Sequence, residues 1–435
     1  MAAHIFTGFG FGPIQGGLFV KEAYQSGNFT RIVVAEIDQE LVDAVRANNE
    51  SYYVNVAKAN GIEALKIDHV ELLNPDVPRD NQILRQVLTE STEIATCLPS
   101  VDFYDSGGSS SVASLIADGL KKAKARATIM YTAENNNRAA EILEEAVTKK
   151  AGTPSTSSGQ ALSREKVQFL NTVIGKMSRV VTNPAEIAER KLATIAPRIK
   201  RAFLVEQFNR ILVTRTRISN FRPGIEVFIE KDNLLPFEEA KLYGHNAIHA
   251  LLGFIGAVCG YSRMTELAAD PAIMQIARAA FLKESGAALI KKYVHLGDEL
   301  FTEAGFKDYA EDLLQRMTNP YLADTVARVS RDVVRKLGLN ERIFGTMQLA
   351  LEYGIEPTNM ALGAIAGIAV LLKQPDENDL PANLHFGDWR KLDDARIERL
   401  IRWLWTSQTS RYAQKIIEHV QNVRNDPKDL TRDFV

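Results

Sequence analysis

The chain reads as an α/β N-terminal domain of the Rossmann-like type followed by a mainly α-helical C-terminal domain, on three observations. Residues 4–36 run strand, glycine-rich turn, helix and acid-ended strand. Strand-like apolar runs keep alternating with helical patterns to about residue 150. From about residue 200 amphipathic helices take over, with few strand signals. A chain of 435 residues exceeds one typical core, so two domains are expected, over 1–199 and 200–435.

The N-terminal elements follow in order. His4 to Gly8 is a short apolar strand, and the turn GFGFGPIQGGLF comes directly after it. A helical pattern runs to about Gln25, and RIVVAEID is a second strand ending at Glu36. This is the layout of a dinucleotide-binding unit, in which glycines admit a pyrophosphate to the backbone at a helix N-terminus. Gly10, Gly12, Ile14 and Gln15 form the expected cofactor turn, with Gln15 where the fingerprint has its third glycine. Glu36 is placed to accept hydrogen bonds from the adenosine ribose diol. A carboxylate there repels a 2′-phosphate, and Ile37, Asp38 and Gln39 bring no cation. NAD is therefore expected over NADP.

EIATCLP at 93–99 and ATIMYTAE at 127–134 read as two further buried strands. The loop YDSGGSSS between them feeds a helix, and AGTPSTSSGQALSR at 151–164 reads as a Ser/Thr/Gly-rich surface loop. In the second half, ADPAIMQIARAAFLKESGAALIKKY and TNPYLADTVARVSRDVVRKLG begin with Asp-Pro and Asn-Pro helix starts.

Composition excludes several classes. The net charge of −2, from 52 basic and 54 acidic residues, offers no global field for nucleic acid or anionic membrane. The two cysteines, Cys97 and Cys259, sit in apolar stretches and form no disulfide framework. The longest apolar run, MALGAIAGIAVLL, is too short to span a bilayer. A soluble cytoplasmic protein, monomeric or homodimeric, is expected.

Lys241-Leu-Tyr-Gly-His-Asn246-Ala-Ile-His249 carries the chemistry. On a regular helix Lys241 would stand at about 0°, His249 at about 80° and Asn246 at about 140°. Ala247, Ile248, Leu251, Phe254 and Ile255 would fall at roughly 220–340°, a separate apolar back. A polar arc on a buried helix is costly unless it meets something polar. Interconversion of an alcohol and a carbonyl through NAD needs a base and donors to the reacting oxygen. Lys241 suits the base if burial lowers its pKa from about 10.4 towards 7–8. Asn246 and Asn135, in the loop after ATIMYTAE, offer amide donors, and His249 can orient hydroxyls. His245 and His249 are four apart, as zinc ligands can be, but no third ligand has sensible spacing, so no metal is expected.

The motif Lys-x4-Asn-x2-His, with TAENNNRAAEIL, ESGAALIKKY, NPYLADTVARVSRDVVRKL and LALEYG, resembles the polyol-specific long-chain dehydrogenase family, most of all its mannitol-1-phosphate branch. The resemblance runs to about residue 370 and leaves the last 60 residues, with LHFGDWRKL and RLIRWLW, outside it. It implies Lys241 as catalytic base, Asn135 and Asn246 as amide donors, and His249 as the substrate-orienting histidine. It also implies Arg328 and Lys336 as substrate contacts, in exchange between a hexitol phosphate and a ketose phosphate. A Val-Asp-Arg-Ile segment of the family stands here as Met177-Ser178-Arg179-Val180, which implies the loss of a substrate-contacting carboxylate. Asp324–Arg328 and Asp332–Lys336 also read as ion pairs on a solvated helix face. The alternatives are a dehydrogenase of unphosphorylated polyols, a hexuronate reductase, and a non-catalytic nucleotide-binding protein.

Overall fold

A computed structural model describes residues 4–123, 126–152, 165–406 and 408–425. The loop expected at 151–164 lies outside the described residues from 153 onward. Two compact units meet in sequence between Leu235 and Pro236.

In the first unit the strands are β1 (His4–Phe9), β2 (Phe29–Ala35), β3 (Tyr52–Ala57), β4 (Ile62–Ile67), β5 (Val70–Leu73) and β6 (Glu93–Thr96). They continue as β7 (Thr128–Thr132), β8 (Val167–Val173), β9 (Ser178–Val181), β10 (Ala202–Glu206), β11 (Leu212–Thr214) and β12 (Ile229–Lys231). The main sheet has the order β12-β11-β8-β7-β6-β1-β2-β5. From β5 to β8 every pairing is parallel, while β11 runs antiparallel to β8. The chain starts in the middle, winds out to β5 and crosses back to β6. Its direction of winding thus reverses between β1 and β6, where open α/β sheets bind ligands beyond the strand C-termini.

Parallel strands covered on both faces need apolar residues on both, which is why β2 carries Ile32, Val33, Val34 and Ala35 in succession. Phe6, Ile32 and Val34 face one core with Leu18, Phe19, Tyr52 and Phe203. Val33, Ile94 and Met130 face the other, with Leu84, Leu115 and Leu143 from the covering helices. Each such side chain, fully removed from water, contributes roughly 1.5–3 kcal/mol. A second sheet, β4-β3-β10-β9, closes the first core.

The change of pattern near residue 200 and the division at 235 differ for a physical reason. β10 pairs with β3, β11 with β8 and β12 with β11, so residues 202–231 complete the sheets of the first unit.

The second unit is helical. Its centre is the Ala247–Val258 helix, buried at Ala247, Ile248, Leu251, Phe254 and Ile255 and packed chiefly on the Thr358–Lys373 helix. That second helix is buried over Met360–Leu372. Among the described residues no helix is long and apolar enough to cross a membrane. The helices Asp394–Leu404 and Ala413–Asn425 lie in the segment without a recognised motif. Ala413–Asn425 packs on Thr358–Lys373, and Trp405 meets Phe344 edge-on at 5.3 Å.

Candidate functional site

The glycine-rich turn is built by three constraints. Gly10 takes φ +80°, and a Cβ there would stand 2.8 Å from the Cys97 carbonyl oxygen, so the position requires glycine. The Phe11 amide donates to Glu36 Oε2 at 2.7 Å and the Asp38 amide to Oε1 at 2.9 Å. Glu36 therefore ties the turn to the end of β2. Gly12 has nothing within 4 Å of where a Cβ would lie, so the turn is open there. Ile14 is half-buried against the first core.

Gln15 is wholly buried, and its side chain lies across Gly8 of β1 and accepts from Cys97 Sγ at 2.7 Å. The glycine of this strand–helix contact is thus on the strand instead of the helix. The turn closes tightly despite the missing third glycine. One cation that the local sequence does not bring is supplied by the fold: Arg201, just before β10, donates to Asp38 Oδ2 at 2.5 Å.

After β7, Asn135 is exposed and its side chain makes no hydrogen bond among the described residues. Its neighbour Glu134 is buried and accepts from Tyr104 Oη at 2.5 Å, Thr96 Oγ1 at 2.9 Å and the Leu98 amide at 2.8 Å. This carboxylate, which sequence reasoning left without a role, anchors the Asn135 loop to the loop after β6. Ser178 sits in β9, paired with Val205 of β10.

In the second unit Lys241 and Asn246 lie on a π-helical segment, Ala240–Asn246, that passes directly into the Ala247–Val258 helix. The regular-helix angles therefore do not hold. Bonds from i to i+5 stack residues five apart, which brings Asn246 towards the Lys241 face. Lys241 forms no hydrogen bond or ion pair with another described residue. Burial, reinforced by the Arg342 guanidinium and opposed by Glu238, lowers its pKa to about 8.

His249 Nε2 is buried without a hydrogen bond and stands 3.6 Å from Asp324 Oδ2. Burial pulls its pKa to about 4 against the pull of Asp324, so the ring is neutral at pH 7. Arg328 grips Asp324 with two hydrogen bonds, one of them Nε to Oδ1 at 2.5 Å. The pair expected from the four-residue spacing is therefore formed. Lys336 behaves otherwise: its ammonium donates to the Val329 oxygen at 2.7 Å and to the Arg331 oxygen, while Asp332 turns to Arg335 at 3.5 Å. Burial and Arg342 lower the Lys336 pKa to about 7.

Arg342 is the residue sequence reasoning missed. Its one local signal is a cation in the first turn of a helix, Arg342–Glu352, where the helix dipole disfavours it. His245 and His249 have ring centroids 6.3 Å apart. Among the described residues no group of three or more His, Cys, Asp or Glu side chains is placed to hold a metal.

An N-terminal unit of this topology, with its winding reversed between β1 and β6, is a fold in which dinucleotides are bound, and a helical unit follows it. Residues 233–423 match the mannitol dehydrogenase C-terminal domain, so the family reaches well past residue 370 into the terminal helices. The chain is similar to polyol dehydrogenases. It is 26% identical over 377 residues to a mannitol-1-phosphate 5-dehydrogenase of Buchnera aphidicola subsp. Acyrthosiphon pisum (strain Tuc7), covering 86% of this chain and 87% of that protein. Among solved structures, Pseudomonas fluorescens mannitol 2-dehydrogenase in ternary complex with NAD and D-mannitol superposes with TM-score 0.66. That match is 17% identical and covers 98% of this chain and 94% of the other. A substrate-free D-sorbitol dehydrogenase gives TM-score 0.72 at 13% identity, covering 98% and 93%.

Proposed function

We propose that the protein is an NAD-dependent dehydrogenase that interconverts a hexitol phosphate and a ketose phosphate, of the mannitol 1-phosphate and fructose 6-phosphate type. The observation that carries this reading is Lys241, a partly buried amine without a partner among the described residues and with its pKa lowered to about 8. Such an amine is poised to exchange a proton at physiological pH.

The cofactor turn fits a dinucleotide: Gly10 makes the tight bend, Gly12 leaves open space, and Glu36 holds the end of β2 beside it. The turn Gly10, Gly12, Ile14 and Gln15, with Glu36, would hold NAD, which carries the hydride when bound. On the protein's side, neutral Lys241 Nζ takes the hydroxyl proton during polyol oxidation and returns it during ketose reduction. Asn246 and Asn135 donate amide hydrogens to the reacting oxygen, each worth roughly 10²–10³ in rate by analogy with single oxyanion donors. Neutral His249 orients a hydroxyl of the polyol. Arg328 and Lys336 are substrate contacts, held in place by Asp324 and by the carbonyls of Val329 and Arg331. No metal takes part.

The test is NADH oxidation followed at 340 nm with fructose 6-phosphate and with fructose, each with and without EDTA. Rapid, EDTA-insensitive oxidation confined to the phosphate ester supports the proposal. Turnover of fructose alone would move the assignment to unphosphorylated polyols.

A further inference from the structure

We infer that Arg342 binds the anionic group of the substrate, a phosphate monoester, and so determines specificity for phosphorylated sugars. The inference rests on the reaction proposed above and deepens it.

Position comes first. The helix that Arg342 opens is locked onto the Lys241 turn one helical turn later. Thr346 Oγ1 lies 3.2 Å from the Tyr243 carbonyl oxygen and 2.6 Å from that of Arg342. At Gly345 a Cβ would come within 2.7 Å of Tyr243 Cε1, so the helix approaches as closely as a backbone can. From there the Arg342 guanidinium acts electrostatically on Lys241, His245, His249 and Lys336 together.

Partnership comes second. Apart from Lys241, the other cations of this neighbourhood are engaged. Arg328 is bound by Asp324, Lys336 by two carbonyls, and Arg335 lies 3.5 Å from Asp332 and 4.0 Å from Glu341. The Arg342 guanidinium has no ion pair or hydrogen bond among the described residues, and its Nε is buried. Glu341 and Asp332 attract it only from a distance, since both turn towards Arg335. An arginine remains charged at any working pH, and burying it unpaired is unfavourable. A guanidinium fork matches the oxygens of a phosphate, and a dianion there would offset the positive charge shared by Arg342 and Lys241.

The experiment uses the full chain with Arg342→Met and Arg342→Lys, with folding checked by circular dichroism. Wild type should prefer fructose 6-phosphate to fructose in kcat/KM. Arg342→Met should lower that preference by at least ~30-fold, mostly through KM, and Arg342→Lys should restore part of it. An equal loss for both sugars, with the preference kept and only the pH profile moved, would overturn the inference. Binding of inorganic phosphate, measured by calorimetry, separates this from the reaction itself. Phosphate bound by wild type and lost in Arg342→Met upholds the anion site even if neither sugar is reduced. Wild type that does not bind phosphate refutes it.

Discussion

Gly8 and Gln15 share one space: a Cβ on Gly8 would stand 1.6 Å from Gln15 Nε2. Helix and strand meet closely in dinucleotide-binding units, and here the strand gives way so that the helix can carry an amide. Gly8→Ala must therefore displace a buried side chain and break its contact with Cys97. A loss of about 1–3 kcal/mol in stability is expected, as for other overpacked sites. Adding Gln15→Gly should recover much of it. Urea unfolding of both variants checks this, and a double variant no better than the single one would disprove the shared space.

With Lys241 as the proposed base, its pKa, lowered to about 8 chiefly by burial, should set opposite pH profiles for the two directions. Polyol oxidation uses the neutral amine, so its rate rises through pH 8. Ketose reduction uses the ammonium, so its rate falls over the same range. Lys241→Ala should lower turnover by at least ~10² and flatten both limbs, while NADH binding, read by fluorescence, stays intact. Lys241→Met should raise the melting temperature at pH 7, because a partly buried charge is removed. A wild-type profile without an inflection near pH 8 would exclude this lysine as the base.

Glu93 lies at the start of β6, wholly buried, 3.3 Å from His4 Nδ1 and accepting from Tyr131 Oη at 2.9 Å. Burial pushes its pKa up to about 7, against the hydrogen bonds from Gly224, Tyr131 and Ile225. The folded pKa exceeds the unfolded one, so the folded state binds more protons between them. Stability is then lost as pH rises from about 4.5 through 7. Glu93→Gln should remove this loss and stabilise the protein by on the order of 2 kcal/mol at pH 8, with little gain at pH 5. Melting temperatures at the two pH values decide it; a gain independent of pH counts against a raised pKa.

Asp324 joins Arg328 to the His249 side of the site. Burial raises its pKa, but the hydrogen bonds and charge of Arg328, with His249, outweigh this and hold it below the usual carboxylate range. Its stabilising pair is present above the unfolded carboxylate pKa and lost as pH falls through the lower folded value. Asp324→Asn should weaken the grip on Arg328, cost about 1–2 kcal/mol and raise KM for the sugar more than it lowers kcat. An unchanged KM would mean that Arg328 does not touch substrate.

Glu36 bonds the amides of Phe11 and Asp38, so its loss loosens the cofactor turn and removes the carboxylate that opposes a 2′-phosphate. Glu36→Ala should weaken NADH binding about tenfold and narrow the preference over NADPH, with Arg201 nearby to favour the phosphate. Fluorescence titration with both nucleotides measures the ratio. A ratio that does not move would assign cofactor choice elsewhere.

Local sequence specifies the strand–turn–helix–strand start, the helical second half, and the spacing of Lys241, Asn246 and His249. These depend on local periodicity and on neighbours along the chain. Tertiary structure decided what long-range partners decide. The β3–β4 hairpin and the β9–β10 pair lie far apart in sequence and form one sheet only through the pairing of β3 with β10, and the pairing of β11 with β8 and β12 carries the first unit on towards Leu235. The π-helical geometry at Lys241, the place of the Gln15 side chain against Gly8, and the nearness of Arg201 to Asp38 came from packing. Arg342 stands 101 positions after Lys241 (342 − 241) and bears on its proton because one helix packs against another, a relation that no spacing in the sequence encodes.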